Sequence, residues 1–315
     1  MKILLTGCAG FIGSHVSEAL LERGDSVIGV DNINDYYDVK IKKGNLEILK
    51  NHDNFTFYKE DIRNYEDLKK IFEKEKPEKV VHIAARAGVR PSIEQPLLYE
   101  EVNVKGTTNL LDLAKEHKVK SFVFASSSSV YGNQEKIPFS ETDKVDNPIS
   151  PYAATKKSAE LLCRKYHDLY NMKITCLRFF TVYGPRGRPD MAPYKFTKLI
   201  MEGKPVPRYG NGTTKRDYTY ITDIVKGVVS AIDKELEFEI INLGNNKPVV
   251  LNDFIKVIEQ ATGKKAIIEE QPMQPGDVNI TYADIAKAEH LLGYKPETSI
   301  EEGMKKFVEW YKENA

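Results

Sequence analysis

The chain has 315 residues, enough for one large domain or two intimately joined ones, and 41% of them are apolar, which fills a substantial core. Its 46 basic residues balance 46 acidic ones, so the global charge argues against nucleic acid or an anionic membrane as a partner. No uninterrupted apolar stretch approaches a membrane span, and the start, Met1-Lys2-Ile3-Leu4-Leu5, runs into a glycine turn instead of a cleavage site, so the expected location is cytoplasmic.

Residues 2–5 form a short apolar run that predicts a first strand, and residues 14–23, stopped by Gly24, have helical apolar spacing at Val16, Ala19 and Leu20. Gly7, Gly10 and Gly13 therefore sit on a strand-to-helix turn. There the chain turns tightly and a pyrophosphate can approach bare backbone, while the helix N-terminus at Phe11 and Ile12 supplies unpaired N–H groups and partial positive charge. The spacing is G-x-x-G-x-x-G rather than G-x-G-x-x-G, and such a turn alone is a weak signal. The next run, Ser26–Val30, strengthens it by ending at Asp31, where an acid meets the ribose hydroxyls of adenosine. A carboxylate there repels a 2′-phosphate, and the following Asn32-Ile33-Asn34 offers no Arg to bind one. The predicted cofactor is NAD, not NADP.

Further along, Phe55–Tyr58 and residues 80–83, 121–125 and 174–177 are short apolar runs suited to strands buried on both faces. Helical stretches at Tyr65–Glu75 and at residues 98–118 and 152–171 separate them. The predicted fold is α/β, a Rossmann-type doubly wound parallel sheet, with ligands at the carboxyl ends of the strands: Asp31, Asp61-Ile62, Ala84-Ala85, the run Ser126 to Ser129, and Thr181. After about Phe179 the pattern becomes irregular, with five prolines between 185 and 207 and then mixed short elements. The predicted division is an NAD-binding domain over 1–178 and a smaller mixed α/β substrate-binding domain over 179–315, with Phe238–Leu243 able to return as a strand to the main sheet. Cys8, Cys163 and Cys176 have no metal spacing, so no metal site is predicted and the three are expected as reduced thiols without a catalytic role.

Tyr152 and Lys156 lie one helical turn apart, on one face of the last of these helices. The bland alternative is an exposed pair at a helix start; the glycine turn upstream and the serine run between argue for a hydride-transfer site. A tyrosine has an unperturbed pKa near 10 and is a poor base at neutral pH unless positive charge favours the phenolate. Lys156 and the charge of a nicotinamide ring would provide it, and a hydroxyl of the serine run would hold the same substrate oxygen.

Several ordered segments then carry a family resemblance along essentially the whole chain: Ala87-Gly88-Val89-Arg90, Arg178-Phe179-Phe180-Thr181-Val182-Tyr183-Gly184-Pro185, Gly187-Arg188-Pro189-Asp190-Met191-Ala192, Lys215-Arg216-Asp217-Tyr218-Thr219-Tyr220 and Gln274-Pro275-Gly276-Asp277-Val278. The sequence resembles the extended short-chain dehydrogenase/reductases, and within them the NAD-dependent nucleotide-sugar epimerases, in particular UDP-glucuronate 4-epimerases. UDP-galactose 4-epimerases share several of these segments, so the sugar stays open between the two. The resemblance implies C4 inversion through a 4-keto sugar, with Tyr152 as base, Ser127 as the catalytic serine by alignment on Val130-Tyr131-Gly132, Ser128 as a neighbouring substrate contact, and Lys156 on the nicotinamide ribose. It places Thr181 and Arg188 near C6, where an arginine fork can pair with a carboxylate, although an exposed basic loop or a phosphate contact is the alternative for Arg188. Arg216 resembles the family's phosphate-binding arginine, Asp277 its uridine ribose contact, and Arg90 a positive group near phosphates; Gln274 stands where many galactose epimerases carry a second phosphate arginine. Related dehydratases carry Asp-Glu at positions 128 and 129, and related decarboxylases a Glu at 129. Serines at both positions favour an epimerase. A silent NAD-sensing protein would usually lose the Tyr-Lys pair. The implied partners are a UDP-sugar and, through helices near 98–118 and 152–171, a second copy of the chain as a homodimer.

Overall fold

The computed structural model describes residues 1–273 and 278–314. Its strands are β1 (Lys2–Thr6), β2 (Ser26–Val30), β3 (Phe55–Tyr58), β4 (Lys79–His82), β5 (Ser121–Ser127), β6 (Ile174–Phe179), β7 (Thr181–Tyr183), β8 (Pro205–Tyr209), β9 (Lys215–Tyr220), β10 (Phe238–Leu243), β11 (Pro248–Val250) and β12 (Ile267–Gln271). The helices are α1 (Phe11–Glu22), α2 (Val39–Lys50), α3 (Tyr65–Glu75), α4 (Val89–Glu94), α5 (Pro96–Glu100), α6 (Gly106–Glu116), α7 (Pro151–Tyr170), α8 (Ala192–Glu202), α9 (Ile221–Lys234), α10 (Leu251–Thr262), α11 (Ala286–Leu292) and α12 (Ile300–Asn314).

Seven strands form the main sheet in the order β10-β6-β5-β4-β1-β2-β3, and every pair in it is parallel. Alternation along each strand divides the apolar residues between two layers. Ile3 and Leu5 pack with Val16 and Leu20 of α1, Leu49 of α2 and Ile224 and Val228 of α9, while Leu4, Val80 and Phe122 pack with Phe72 of α3, Leu110 of α6 and Ala159 of α7. Burial on both faces is why these strands read as continuous apolar runs. The chain leaves β1 toward β2 and β3 on one side and returns through β4, β5 and β6 on the other. The switch point beside β1 opens a crevice at the strands' carboxyl ends.

Phe238–Leu243 pairs in register with β6, Phe238 opposite Ile174 and Leu243 opposite Phe179. Together with α9 it brings part of the chain beyond residue 178 back onto the main sheet. The remainder forms a three-stranded sheet, β11-β9-β7, a parallel pair, β12-β8, and four further helices. The expectation of short elements there is corrected: α9, α10 and α12 have 14, 12 and 15 residues. Buried Ile300, Met304, Phe307 and Val308 give α12 a helical stripe, and the prolines lie in connections, first turns and the edge strand β8.

The stretch foreseen as one helix over 98–118 is α5, a π turn at Glu101–Lys105, and α6. Asn103 in that turn is buried. Its amide nitrogen donates to Arg86 O at 2.9 Å and Thr155 Oγ1 at 3.0 Å, and its oxygen accepts from Arg86 N at 2.8 Å. The wide turn thus fastens the loop after β4 to α7.

Candidate active site

A cavity of about 750 Å³ lies at the carboxyl ends of the main sheet, covered by segments from the second half of the chain. Gly7, Gly10, Phe11, Ile12, Gly13, Asp31, Asn32, Asp61, Ile62, Ala84 and Ala85 line it, and so do Arg90, Ser127, Ser128, Tyr152, Lys156, Thr181, Arg188 and Arg216. Asp277 and Gln274 lie outside the described residues.

The glycine turn has the form of a phosphate cradle. Gly7 has φ +77°, and a Cβ on it would stand 2.8 Å from Ala84 N, while one on Gly13 would run into the Gly7 carbonyl. The N-cap of α1 is Gly10, with no side chain capping it, and the helix ladder begins at Ser14 N to Gly10 O, 2.9 Å. The amides of the first turn have no helical carbonyl four residues back; that of Phe11 bonds the Tyr37 hydroxyl, and this end presents the Ile12 and Gly13 donors and partial positive charge to the cavity. Asp31 accepts from Ala9 N at 3.1 Å and Ile33 N at 2.8 Å, an arrangement that fixes its carboxylate at the end of β2. Burial raises its pKa against those bonds and the nearby Lys42 charge. Asp61 is oriented by Asn32 Nδ2 at 2.8 Å and by both ends of the Arg63 guanidinium at 3.0 Å. Burial opposes its ionised form, but the Arg63 and Asn32 bonds outweigh it and hold the carboxyl below its ordinary range. These groups fit NAD: bare backbone for a pyrophosphate and ordered carboxylates for ribose hydroxyls.

At the opposite flank, Ser150 caps α7 by accepting from Ala153 N at 3.1 Å, and Pro151 occupies the first turn. Tyr152 therefore enters the cavity from the helix start, with Lys156 one turn on. The Ser127 hydroxyl oxygen accepts from Ser129 N at 3.2 Å, which leaves its proton for the Tyr152 phenol, where its hydrogen bond favours the phenolate. Burial raises the Tyr152 pKa; Ser127 and the charge of Arg188 oppose it. Arg188 thus supplies a positive charge beside Tyr152 that was not foreseen from the sequence. Lys156 Nζ instead donates to Ala125 O at 2.7 Å and lies 4.9 Å from the centroid of Phe124, and burial brings its pKa down to about 8.

Ser126 points the other way, as alternation on β5 requires. Its hydroxyl donates to Glu160 Oε1 at 2.6 Å, and Glu160 receives both Nε and Nη2 of Arg178 at 2.8 Å. Both charged residues are buried, and the Arg178 guanidinium also stacks 4.8 Å from the Tyr131 ring centroid. This pair joins α7 to the ends of β5 and β6.

Arg188 stands on the loop between β7 and α8. Its Nε and Nη2 donate to Asp190 Oδ1 at 3.0 Å and Oδ2 at 2.5 Å, and Nη2 also reaches Tyr36 Oη at 3.3 Å. The neighbouring Arg186 fastens the same loop to α1 through Glu18 at 2.5 Å. Arg90 stacks 5.0 Å from the Tyr209 centroid, and Arg216 donates to Lys215 O at 2.9 Å. Sequence reasoning missed Tyr36, Lys42, Glu160 and Asp190. For Glu160 a signal existed, since an arginine inside the buried strand run Ile174–Phe179 demands an acid partner.

The chain is 52% identical over 312 residues to a UDP-glucuronate 4-epimerase of Thermodesulfobacterium geofontis, covering 99% of this chain and 96% of the relative. Its fold is similar to the crystal structure of UDP-glucuronic acid 4-epimerase from Bacillus cereus in complex with UDP-glucuronic acid and NAD, with TM-score 0.95, 39% identity and all of both chains covered. It is also similar to UDP-glucose 4-epimerase from Thermotoga maritima with UDP-glucose, with TM-score 0.91, 35% identity and 99% of both chains covered. Residues 4–307 match the family described as GDP-mannose 4,6 dehydratase; the chain belongs to that family and within it is similar to UDP-glucuronate 4-epimerases along its whole length.

Proposed function

We infer that the protein is an NAD-dependent UDP-glucuronate 4-epimerase, interconverting UDP-glucuronate and UDP-galacturonate. The observation that carries this reading is that one cavity holds a serine-bonded tyrosine and an arginine fork, while serines, not carboxylic acids, stand at 128 and 129. Gly7, Gly10, Phe11, Ile12 and Gly13 would hold the cofactor's pyrophosphate, Asp31 and Asn32 its adenosine ribose, Asp61 and Ile62 its adenine, and Ala84, Ala85, Tyr152 and Lys156 its nicotinamide half. When bound, NAD takes up and returns the two electrons exchanged at sugar C4.

Tyr152 Oη takes the proton of the sugar 4-hydroxyl and later gives it back, and Ser127 Oγ holds the same oxygen through both steps. Lys156 orients the nicotinamide ribose. The 4-keto sugar between the two steps is a β-keto acid, from which carbon dioxide leaves readily when the carboxylate is aligned for it. Arg188, with Thr181, would hold that carboxylate in another orientation. Ser128 offers a further hydroxyl, and Arg90, Arg216 and Asp277 are assigned to the uridine diphosphate. The family's dehydration chemistry needs an acid and a base at 128 and 129, and two serines supply neither.

A second copy completes the proposed assembly. Leu97 is 79% exposed and Leu169 68%, with Leu161 and Tyr170 also outward, on α5 and α7, a patch suited to a homodimer. Three buried, unlinked cysteines suit a cytoplasmic location, and no helix among the described residues is long and apolar enough to cross a membrane. Incubation with UDP-glucuronate, UDP-glucose and UDP-N-acetylglucosamine separately, with products resolved chromatographically, tests the reaction. Inversion of UDP-glucuronate is expected; good turnover of UDP-glucose with UDP-glucuronate ignored overturns it. Light scattering of the eluting protein tests the dimer, and a monomeric mass overturns it.

A further inference from the structure

The arginine assigned to the sugar carboxylate already holds a carboxylate of its own chain. Two parallel bonds from Arg188 to Asp190 have the fork-to-fork form that a uronic acid would present, and both residues line the cavity. They differ in setting. The Arg188 side chain is 19% exposed, whereas that of Asp190 is 42% exposed, so Asp190 can turn to water at little cost while the arginine cannot.

Arg188 is also held from a second side, by Tyr36, whose Oη lies 3.5 Å from Asp190 Oδ2 but is anchored elsewhere. Its guanidinium lies 5.3 Å from the Tyr36 ring centroid, and Tyr36 Oη accepts from Nη2 while donating to Ala87 O at 2.6 Å. Tyr99 Oη donates to the same carbonyl at 2.7 Å, and its ring stands edge-on to Tyr152, 6.2 Å between centroids. Loss of the Asp190 contact would therefore leave the arginine in position beside the reacting tyrosine.

We propose that Asp190 is an internal stand-in for the substrate carboxylate: it neutralises Arg188 when no uronic acid is bound and gives up the guanidinium fork to the sugar acid when one arrives. This rests on the reading of the protein as a UDP-glucuronate epimerase. Asp190 is a specificity-determining residue in this scheme, and it acts by competition. A neutral sugar leaves the Arg188–Asp190 pair intact. A uronic acid must displace one carboxylate to gain its own contact, so part of its binding advantage is spent on the exchange.

The test uses the NAD-loaded protein in a Tyr152→Phe background, so that ligands bind without turnover, and calorimetric titration with UDP-glucuronate, UDP-glucose and UDP. Asp190→Asn keeps the shape and removes the charge. It is expected to tighten UDP-glucuronate about fivefold while UDP-glucose and UDP change less than about twofold, and Asp190→Ala is expected to follow it. Three outcomes overturn the proposal: weaker UDP-glucuronate binding in parallel with Arg188→Ala, which makes Asp190 a mere support for the arginine; no change; or equal tightening of all three ligands, which is general relief of negative charge. Failure of the underlying reading looks different. In that case the background protein itself shows no preference for UDP-glucuronate over UDP-glucose, and Arg188→Ala leaves both affinities alone.

Discussion

The proposed proton-transfer side of the cavity and the proposed sugar-acid side are both built from ion pairs and hydroxyls, yet they are built in opposite ways. Around Tyr152 the supporting pair, Glu160 with Arg178, is buried and joins a helix to a strand 18 residues on, with Ser126 drawn into it. Around Arg188 the pair spans two residues on one loop, and its acid is partly in water. A buried pair has one arrangement, because parting it strands a charge; an exposed pair can exchange partners. Proton transfer requires fixed distances whatever the sugar, whereas recognition of an acid benefits from a charge that is neutral until the acid arrives.

The sharpest way to break this contrast is to remove the two acids separately. Glu160→Ala leaves the Arg178 guanidinium uncompensated in the core and is expected to lower unfolding stability by about 3–5 kcal/mol. Asp190→Ala is expected to cost less than about 1 kcal/mol. Urea unfolding of both variants checks this, and similar losses would mean that the two sides do not differ in kind.

Next in size is the chemistry itself. Tyr152→Phe removes the proposed proton acceptor and is expected to lower turnover by about two or more orders of magnitude, with bound NAD retained. Near-parental turnover would take Tyr152 out of the proton path. On the other side, Arg188→Ala removes a charge-assisted contact worth roughly 1.5–3 kcal/mol from UDP-glucuronate only. Residual UDP-glucose turnover should fall less, by what loss of the Arg188 charge beside Tyr152 costs both sugars, and a freed carboxylate should let some 4-keto intermediate leak as a UDP-4-keto-pentose, with NADH accumulating. Equal losses on both sugars would leave Arg188 no role particular to the sugar acid.

What was legible in the sequence follows the same division. β1 to β6, the glycine turn and the start of α7 are local patterns, and Asp31 and Tyr152 could be placed because each sits at the end of an element whose limits the chain announces through Gly24, the Pro148 to Pro151 segment or an apolar run, whereas Ser127 was singled out of its run only by the resemblance around Val130-Tyr131-Gly132. α2 was not legible. Its buried face includes Lys42 and Asn45, which bond Asn34 and the Ala9 carbonyl, so its polar surface conceals its packing. The small sheet β11-β9-β7 joins residues 181–183 to 218–220 and 215–217 to 248–250, pairings that no local pattern announces. Asp190 was within the quoted segment Gly187 to Ala192, yet its proposed role depends on where Tyr36 and the cavity lie, which only the fold supplies.

The smallest expected effect concerns the residue whose surroundings differed most from expectation. Lys156 has a folded pKa of about 8 because burial disfavours its ammonium, against 10.5 for an exposed lysine. Between those values the unfolded chain binds more protons than the folded one, so stability from this group rises with pH across that window, and below about pH 8 the full cost of the buried charge is present. That cost is at most about 3–4 kcal/mol. The bond to Ala125 O and the contact with Phe124 offset part of it. Lys156→Met, which fills the same space without charge, is therefore expected to stabilise the NAD-free protein by about 1 kcal/mol at pH 7 while abolishing most turnover. The difference from the parent should shrink as pH rises from 8 toward 10.5, because the parent then escapes its penalty by losing the proton. Paired urea titrations at pH 7 and 10 measure that difference directly. A variant less stable than the parent at pH 7 would mean that the Ala125 bond outweighs the buried charge, and that Lys156 belongs to the fixed support of α7 as much as Glu160 does.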